Sequence, residues 1–115
     1  MSYDLRVAVK VQGCDMYVNI AEPGYASPTY NLGDMFRACM NWQFKQGEYY
    51  RCDFVMPKVE HGIEELKHNR KKYEQYNPSN GWGSIDSAIQ DLESLRACIY
   101  EEAEDIPLNC LYMRW

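Results

Sequence analysis

The sequence lacks the segments that would send a chain to a membrane or through one. It has no run of 18 uncharged apolar residues, and its first residues, MSYDLRVAVKVQG, lack the basic region and apolar stretch of a secretion signal. Five cysteines lie far apart, at positions 14, 39, 52, 98 and 110, without a C-x-x-C pair. An odd number of separated thiols favours neither a disulfide framework nor a zinc ribbon. We therefore expect a soluble cytoplasmic protein with reduced, mostly buried thiols.

Basic residues are also scarce. The chain has 12 Lys and Arg against 17 Asp and Glu, which gives a formal net charge of −5. Proteins that contact phosphates need clustered cations, so this balance predicts no direct binding of nucleic acid. The single basic run, from Lys67 to Lys72, is typical of a solvated helix end near its C-terminus.

Motifs for catalysis and for cofactors are missing. Neither G-x-x-x-x-G-K-[ST] nor G-x-G-x-x-G occurs. His61 and His68 are seven residues apart, which on a helix is a separation of ~10 Å and too long for one metal ion. No cysteine has the flanking pattern of an activated nucleophile. The sequence therefore predicts no catalytic residues, no metal and no cofactor, and the chain is not expected to be an enzyme.

The residues that are present predict one α+β domain over residues 1–115. Its 115 residues are 46% hydrophobic, enough for a core. Apolar residues alternate from Leu5 to Val11 and again from Met16 to Ile20 around a turn at Gln12–Asp15, which predicts an N-terminal β-hairpin with one apolar face. The segment Leu108–Trp115 has the composition of a strand, and we expect it to pair with the hairpin, with its last residue packed.

About three helices are predicted to pack on one face of this small, three-stranded antiparallel sheet. The first begins at Asn31 or Gly33 and ends near Met40. The second is signalled by Pro57, a favoured first-turn residue, and is interrupted at Asn69, with further turns of helix before Asn77. The third follows Ser84, a capping residue. Three sets of apolar residues at helical spacing support these helices: Leu32, Met35, Phe36, Cys39 and Met40; Val55, Val59, Ile63 and Leu66; Ile85, Ala88, Ile89, Leu92, Leu95 and Ile99.

Three connecting segments combine aromatic and polar residues, as recognition surfaces do. They are residues 25–31, residues 46–50 and the loop NPSNGWGS within residues 77–84. In that loop Pro78 fixes its own φ, and two glycines flank Trp82. An exposed Trp82 favours a binding site, whereas a buried Trp82 makes the loop a plug for the core.

The motifs SPTYNLGDMFRACMNW, QGEYY, YNPSNGWGS and CLYMRW carry a resemblance. Over roughly residues 30–115 the chain resembles small uncharacterised proteins of bacteriophages and integrative elements of Gram-positive bacteria. The resemblance implies a bacterial host cell and the mobile-element setting in which small accessory proteins block host defence or regulation.

The leading hypothesis is a non-enzymatic inhibitor that binds a host protein, for instance an anti-CRISPR-like inhibitor of a defence complex. Two sets of residues are expected to contact the partner: the acidic Glu101, Glu102, Glu104 and Asp105, and the aromatic Tyr49, Tyr50, Tyr76 and Trp82. A first alternative is a protein that sequesters a nucleotide through Tyr30, Asn31, Asn77, Asn80 and Trp82. A second alternative is a homo-oligomeric structural module.

Overall fold

The structure, a computed structural model, describes residues 6–21, 33–45, 47–77 and 84–114. Its strands are β1 (Arg6–Lys10), β2 (Tyr17–Ala21), β3 (Tyr49–Arg51) and β4 (Leu111–Arg114), and its α-helices are α1 (Gly33–Met40), α2 (Cys52–His68), α3 (Arg70–Tyr73) and α4 (Ile85–Glu102). Short 3-10 helices cover Glu74–Tyr76 and Leu108–Cys110. None of the helices in these ranges is long and apolar enough to cross a membrane.

The strands form one antiparallel sheet in the order β2-β1-β4-β3. This confirms the predicted α+β fold, in which the N-terminal hairpin pairs with the C-terminal strand. Val7 lies opposite Met113 and Val9 opposite Leu111. The sheet also has a fourth strand, β3, in a segment that the sequence indicated as a loop. A strand of three residues is too short to show alternation.

Each strand presents one row of side chains to the helices and one row away from them. The inner row includes Val7, Leu111 and Met113, all fully buried. The helical side of the core is supplied by α1, α2 and α4 together, and Val55 and Val59 of α2 are also fully buried. The core therefore lies between these helices and the sheet, with α2 packed on both other helices and on β4 and β3.

The apolar row of β2 is an exception to the predicted pattern. The hairpin was expected to bury one apolar face, but Met16, Val18 and Ile20 are 62%, 47% and 37% exposed. Val18 lies beside Val9 and therefore on the inner side of the sheet. It is exposed because α2 packs on β4 and β3, towards the opposite edge of the sheet, so the described helices leave the edge strand β2 largely uncovered.

Helix α2 begins earlier than the sequence predicts. Its first residue is Cys52, directly after β3, and Pro57 lies inside the helix. The prediction was wrong because Pro57 is tolerated on the solvent side, one turn beyond the usual first-turn position. The predicted end is confirmed, since Asn69 is the C-cap and α3 follows it.

Helix α4 begins where the sequence predicts. Ser84 accepts a hydrogen bond at its side chain from the backbone N–H of Ser87, and the Ser87 hydroxyl oxygen accepts one from the Ser84 backbone N–H. This reciprocal capping box satisfies two N–H groups at the start of the helix. Helix α4 packs antiparallel to α2, because Glu60 contacts Tyr100 while Arg70 contacts Asp86.

Candidate functional site

Four aromatic side chains form a cluster beside the first turns of α2. We call Trp42, Phe44, Tyr50 and Phe54 the aromatic patch. The ring of Trp42 lies edge-on to the other three, with centroids 4.6 Å from Phe44, 4.9 Å from Tyr50 and 5.6 Å from Phe54. Edge-to-face contacts of this kind are favoured because the positive edge of one ring meets the negative face of another. Trp42 is therefore the centre of the patch.

The aromatic patch reaches solvent. Phe54 is 49% exposed, and Trp42 and Tyr50 are half-buried. The Lys58 ammonium, one turn along α2, lies 4.7 Å from the centroid of the Phe54 ring and 5.7 Å from that of Trp42. The cation is held by two ring faces, so a positive charge lies at the edge of an exposed apolar surface.

The hydroxyl of Tyr50 fixes the entry of the chain into β3. It accepts a hydrogen bond from the Lys45 backbone N–H at 3.2 Å and donates to Glu48 Oε2 at 3.4 Å. Gly47 makes the intervening turn with a φ of 82°. The polar tip of Tyr50 is thus used locally, while its ring contributes to the patch.

The acidic residues form the exit of α4. Glu101 and Glu102 end the helix, and Glu104 and Asp105 lie in the turn that follows. Since α4 runs antiparallel to α2, this acidic end lies alongside the first turns of α2. The aromatic patch is at the same end of the helical layer but on the opposite flank of α2, where Phe54 and Lys58 face Trp42.

The opposite surface of the sheet carries a second aromatic cluster. Tyr17, Tyr49 and Tyr112 all lie on the outer side, together with Arg6, Lys10, Arg51 and Arg114. We call these seven residues the tyrosine face. The Tyr17 and Tyr49 rings stack at 3.8 Å, and Tyr112 lies edge-on to Tyr17 at 5.1 Å. The guanidinium of Arg114 lies 5.6 Å from the Tyr49 ring centroid.

A pocket of about 540 Å³ opens at one end of the tyrosine face. It lies between the hairpin turn and the 3-10 helix before β4, and its lining includes Lys10, Gly13, Asn109 and Tyr112. Cys14 and Cys110 also line it, and both are exposed. The pocket and the tyrosine face share Lys10 and Tyr112, so they form one continuous surface.

The cysteines are less uniformly buried than predicted. Only Cys39 and Cys52 are buried, Cys98 is half-buried, and Cys14 and Cys110 are exposed. Burial raises the pKa of both Cys39 and Cys52 to about 12, since the thiolate loses its hydration there. These two thiols are therefore protonated at neutral pH and have the character of core residues.

The histidines lie on the surface of α2 beside glutamates. His68 Nε2 is 2.9 Å from Glu64 Oε2, and His61 Nε2 is 3.9 Å from Glu65 Oε1. Glu65 also accepts hydrogen bonds at one oxygen from Tyr73 and Asn69, which lowers its pKa. Within the described ranges, no three His, Cys, Asp or Glu side chains are grouped so that they could hold a metal ion.

The structure separates the residues predicted to contact a partner. Tyr49 and Tyr50 are neighbours in β3 and so point to opposite sides of the sheet, Tyr49 to the tyrosine face and Tyr50 to the aromatic patch. Tyr76 lies beyond the other end of α2, half-buried next to Tyr73. Of the members of the predicted set that the structure describes, only Tyr50 and the four acidic residues lie at one end of the helical layer; Trp82 is outside the described residues.

Most residues of the nucleotide-binding alternative lie outside the described residues. These are Tyr30, Asn31, Asn80 and Trp82. The prediction that an exposed Trp82 marks a binding site therefore stays a prediction. Trp115, expected to be packed, also lies outside. Asn77 is described: its Oδ1 accepts a hydrogen bond from the Ile85 backbone N–H at 3.2 Å. Its side chain therefore supports the start of α4.

The sequence did not indicate several residues of the aromatic patch and of the tyrosine face. Trp42, Phe44 and Phe54 follow no single periodicity, because they come from a loop and a helix that the unpredicted strand β3 joins. Tyr17 and Tyr112 could have been found, since each occupies an outward position in an alternating strand. A tyrosine row at outward positions indicates an aromatic sheet surface.

Comparisons of the chain with protein-family models, with curated proteins and with solved structures gave no match.

Proposed function

We propose that the chain is a non-enzymatic accessory protein of a phage or mobile element that binds and inhibits a host protein, for instance a nuclease complex of an anti-phage defence. The observation that carries the proposal is the aromatic patch. Phe54 is 49% exposed although its ring contacts Trp42 and Tyr50, so solvent reaches an aromatic surface that is already ordered.

The composition of the patch fits a binding hot spot. Trp and Tyr are enriched among the residues that dominate binding energy, and they act best where neighbouring contacts exclude water. The rings of the patch contact one another, so little side-chain entropy is lost when a partner covers them. A preordered patch of this kind favours binding of a folded protein.

The acidic end of α4 adds a complementary charge. Four carboxylates, Glu101, Glu102, Glu104 and Asp105, lie on the other flank of α2 at the same end of the helical layer. One α-helix is about 10 Å wide, so an interface of ordinary size reaches both features. The partner would then present an apolar recess next to basic residues, as nucleic-acid-binding host proteins do.

The thiols support a role without covalent chemistry. Cys39 and Cys52, whose pKa burial raises to about 12, are held as neutral core groups. A thiol nucleophile needs the opposite shift, towards the thiolate. Neither of these two thiols is therefore suited to act as a nucleophile, which agrees with the proposed binding role.

The test uses plasmid transformation of a bacterium whose CRISPR nuclease targets the plasmid. Co-expression of the wild-type chain should restore transformation, and the tagged chain should capture the nuclease complex from the same cells. A Trp42→Ala, Phe54→Ala variant should lose both effects, because it removes the central anchor and the exposed ring. Charge reversal by Glu101→Lys and Glu102→Lys should weaken capture most at low salt.

A matched control is Met16→Ala, Val18→Ala, which trims exposed apolar side chains at the far edge of the sheet. It should retain inhibition and capture. The proposal fails if the wild-type chain restores no transformation in strains with different defence nucleases. It also fails if the aromatic variant, folded by circular dichroism, inhibits as well as the control.

A further inference from the structure

The charges of the sheet are sorted by side. The described strand residues include four cations, Arg6, Lys10, Arg51 and Arg114, and no acid. The register places all four on the tyrosine face, since Arg6 lies opposite Arg114 and Arg51 opposite Tyr112. A chain with a net charge of −5 thus has a sheet surface whose own residues carry only positive charge.

Among the described residues, Lys10 and Arg51 have acidic neighbours from outside the strands. Lys10 Nζ lies 3.5 Å from Asp15 Oδ1 in the hairpin turn, and Arg51 Nη2 lies 2.6 Å from Asp53 Oδ2 at the start of α2. Both cations are well exposed, with 41% and 52% of their side chains accessible. Exposed ion pairs contribute little to stability, so a phosphate can replace the Asp15 carboxylate at Lys10 at small cost. Arg51 donates to both oxygens of Asp53, so a phosphate at Arg51 competes with a stronger, bidentate pair.

Aromatic rings lie between the cations. The Tyr17 and Tyr49 rings meet over the middle of the sheet, Tyr112 lies against Tyr17, and all three are half-buried. Each therefore keeps part of its surface accessible to a ligand. The adjoining pocket of about 540 Å³, which Lys10 and Tyr112 also line, offers room for one planar group beside a cation.

We propose that the tyrosine face binds single-stranded nucleic acid. Phosphates would lie on the four cations, and bases would stack on the exposed parts of the tyrosine rings, with one base in the pocket. Stacking platforms interleaved with positive charge bind single strands because every base offers a π-face, whatever its sequence. Aromatic rings on the open side of an antiparallel sheet are a known platform for bases. Here Tyr17 and Tyr49 cover one face of each other, so a base would stack on a ring face that this pair leaves open or on Tyr112.

The charge of this surface fits a nucleic acid. Its strand residues carry four cations and no acid, and cations interleaved with aromatic rings match the phosphates and bases of a single strand. The sequence predicted no nucleic-acid binding from net charge alone, and net charge does not describe how charges are distributed. The proposal is independent of the inhibitor function, which uses the other side of the sheet.

The experiment measures fluorescence anisotropy of labelled single-stranded RNA and DNA of about twelve nucleotides, a length within the range that single-strand-binding domains cover. Release of counterions from four phosphates should weaken binding by about 50-fold between about 50 and 200 mM salt. The Lys10→Gln, Arg51→Gln variant keeps two of the four cations. Its affinity should therefore fall only about sevenfold over the same salt range.

Matched variants test whether binding depends on the tyrosine face or on positive charge anywhere on the protein. Lys71→Gln, Lys72→Gln removes the same charge from the basic run on α3 and should bind as the wild type does. Tyr112→Ala should lose at least about fivefold in affinity through lost stacking, whereas Tyr100→Ala, an exposed tyrosine of α4, should lose none.

Four outcomes would overturn the proposal. They are no binding at the lower salt concentration, equal affinity for a duplex of the same sequence, equal loss in the Lys71→Gln, Lys72→Gln control, and equal affinity for a polyglutamate peptide. The last result would assign the face to an acidic protein segment instead.

Discussion

The rings of Tyr17 and Tyr49 stack nearly parallel with centroids 3.8 Å apart, although the two residues belong to opposite edge strands of the sheet. Three strand spacings separate β2 from β3, a distance of about 14 Å. Both side chains must therefore reach inwards across the central strands. Ala8 on β1 lies opposite Tyr112 on this side of the sheet and is fully buried.

The stacked pair should couple the two edges of the sheet energetically. We expect Tyr17→Ala and Tyr49→Ala each to lower the free energy of unfolding. Their double variant should lose about 0.5–1.5 kcal/mol less than the sum of the two, which is the usual value of an aromatic pair. Urea denaturation of the four proteins measures this coupling.

The control pairs Tyr17→Ala with Tyr100→Ala. Tyr100 lies on α4, and its hydroxyl donates a hydrogen bond to Glu60 Oε1. Those two changes should be additive within about 0.5 kcal/mol because they share no partner. Additivity in the Tyr17 and Tyr49 pair would show that the stack does not connect the edges.

The strands show what the sequence could predict of this fold. Val7 and Val9 alternate with outward residues, so β1 was recognisable, and the register with Met113 and Leu111 follows from matching apolar rows. β3 was not recognisable, because three residues contain too little pattern. The exposure of Val18 could not be predicted either, since it depends on which strands α2 covers.

The candidate site was only partly predictable for the same reason. Tyr50 was identified by residue type, as an aromatic in a polar segment. Its contacts with Trp42 and Phe54 depend on β3 and the early start of α2, neither of which the sequence indicated. Composition identified the kinds of residue involved, and tertiary structure determined which of them share a surface.

Gly62 should resist replacement even though glycine is unfavourable in a helix. A Cβ atom there would lie 2.8 Å from Met40 Cγ, 3.3 Å from Cys39 Sγ and 3.3 Å from Leu92 Cδ1. We expect Gly62→Ala to lower the free energy of unfolding by about 1–3 kcal/mol, because overpacking outweighs the better helix propensity. Chemical denaturation measures the change.

A second substitution tests whether the clash is the cause. Met40→Ala removes the atom closest to the added methyl group. Met40→Ala should lower the free energy of unfolding clearly less in the Gly62→Ala background than in the wild type. Equal cost in both backgrounds, or a Gly62→Ala variant more stable than the wild type, would show that α1 and α2 can move apart freely.

Asp91 on α4 should make stability depend on pH. Loss of hydration by burial raises its pKa from the ordinary 3.8 to about 6. The folded state therefore binds a proton at Asp91 more tightly than the unfolded chain does. As a result, the contribution of Asp91 to the free energy of unfolding falls as pH rises from about 4 to 6. Asp91→Asn should stabilise the protein at neutral pH by about 1–2 kcal/mol, allowing for partial exposure.

The comparison that isolates this effect is Asp86→Asn, on the same helix. Asp86 is exposed and its Oδ1 lies 3.0 Å from Arg70 Nη1. Melting temperatures at pH 4.5 and 7.5 should show a pH-dependent gain for Asp91→Asn and none for Asp86→Asn. A gain for Asp91→Asn that is equal at both pH values would contradict the raised pKa.

Pro57 lies at the sixth residue of α2, beyond the turn in which proline is well tolerated. It has no N–H to donate to the carbonyl of Asp53, so one intrahelical hydrogen bond is missing on the exposed side. Pro57→Ala should restore that bond and raise the free energy of unfolding by about 1–2 kcal/mol, after subtraction of the added freedom of the unfolded chain. Pro107→Ala, outside the α-helices, keeps the entropic change without the new bond and should destabilise slightly. A Pro57→Ala variant that is no more stable than the wild type would contradict the prediction that the missing hydrogen bond costs stability.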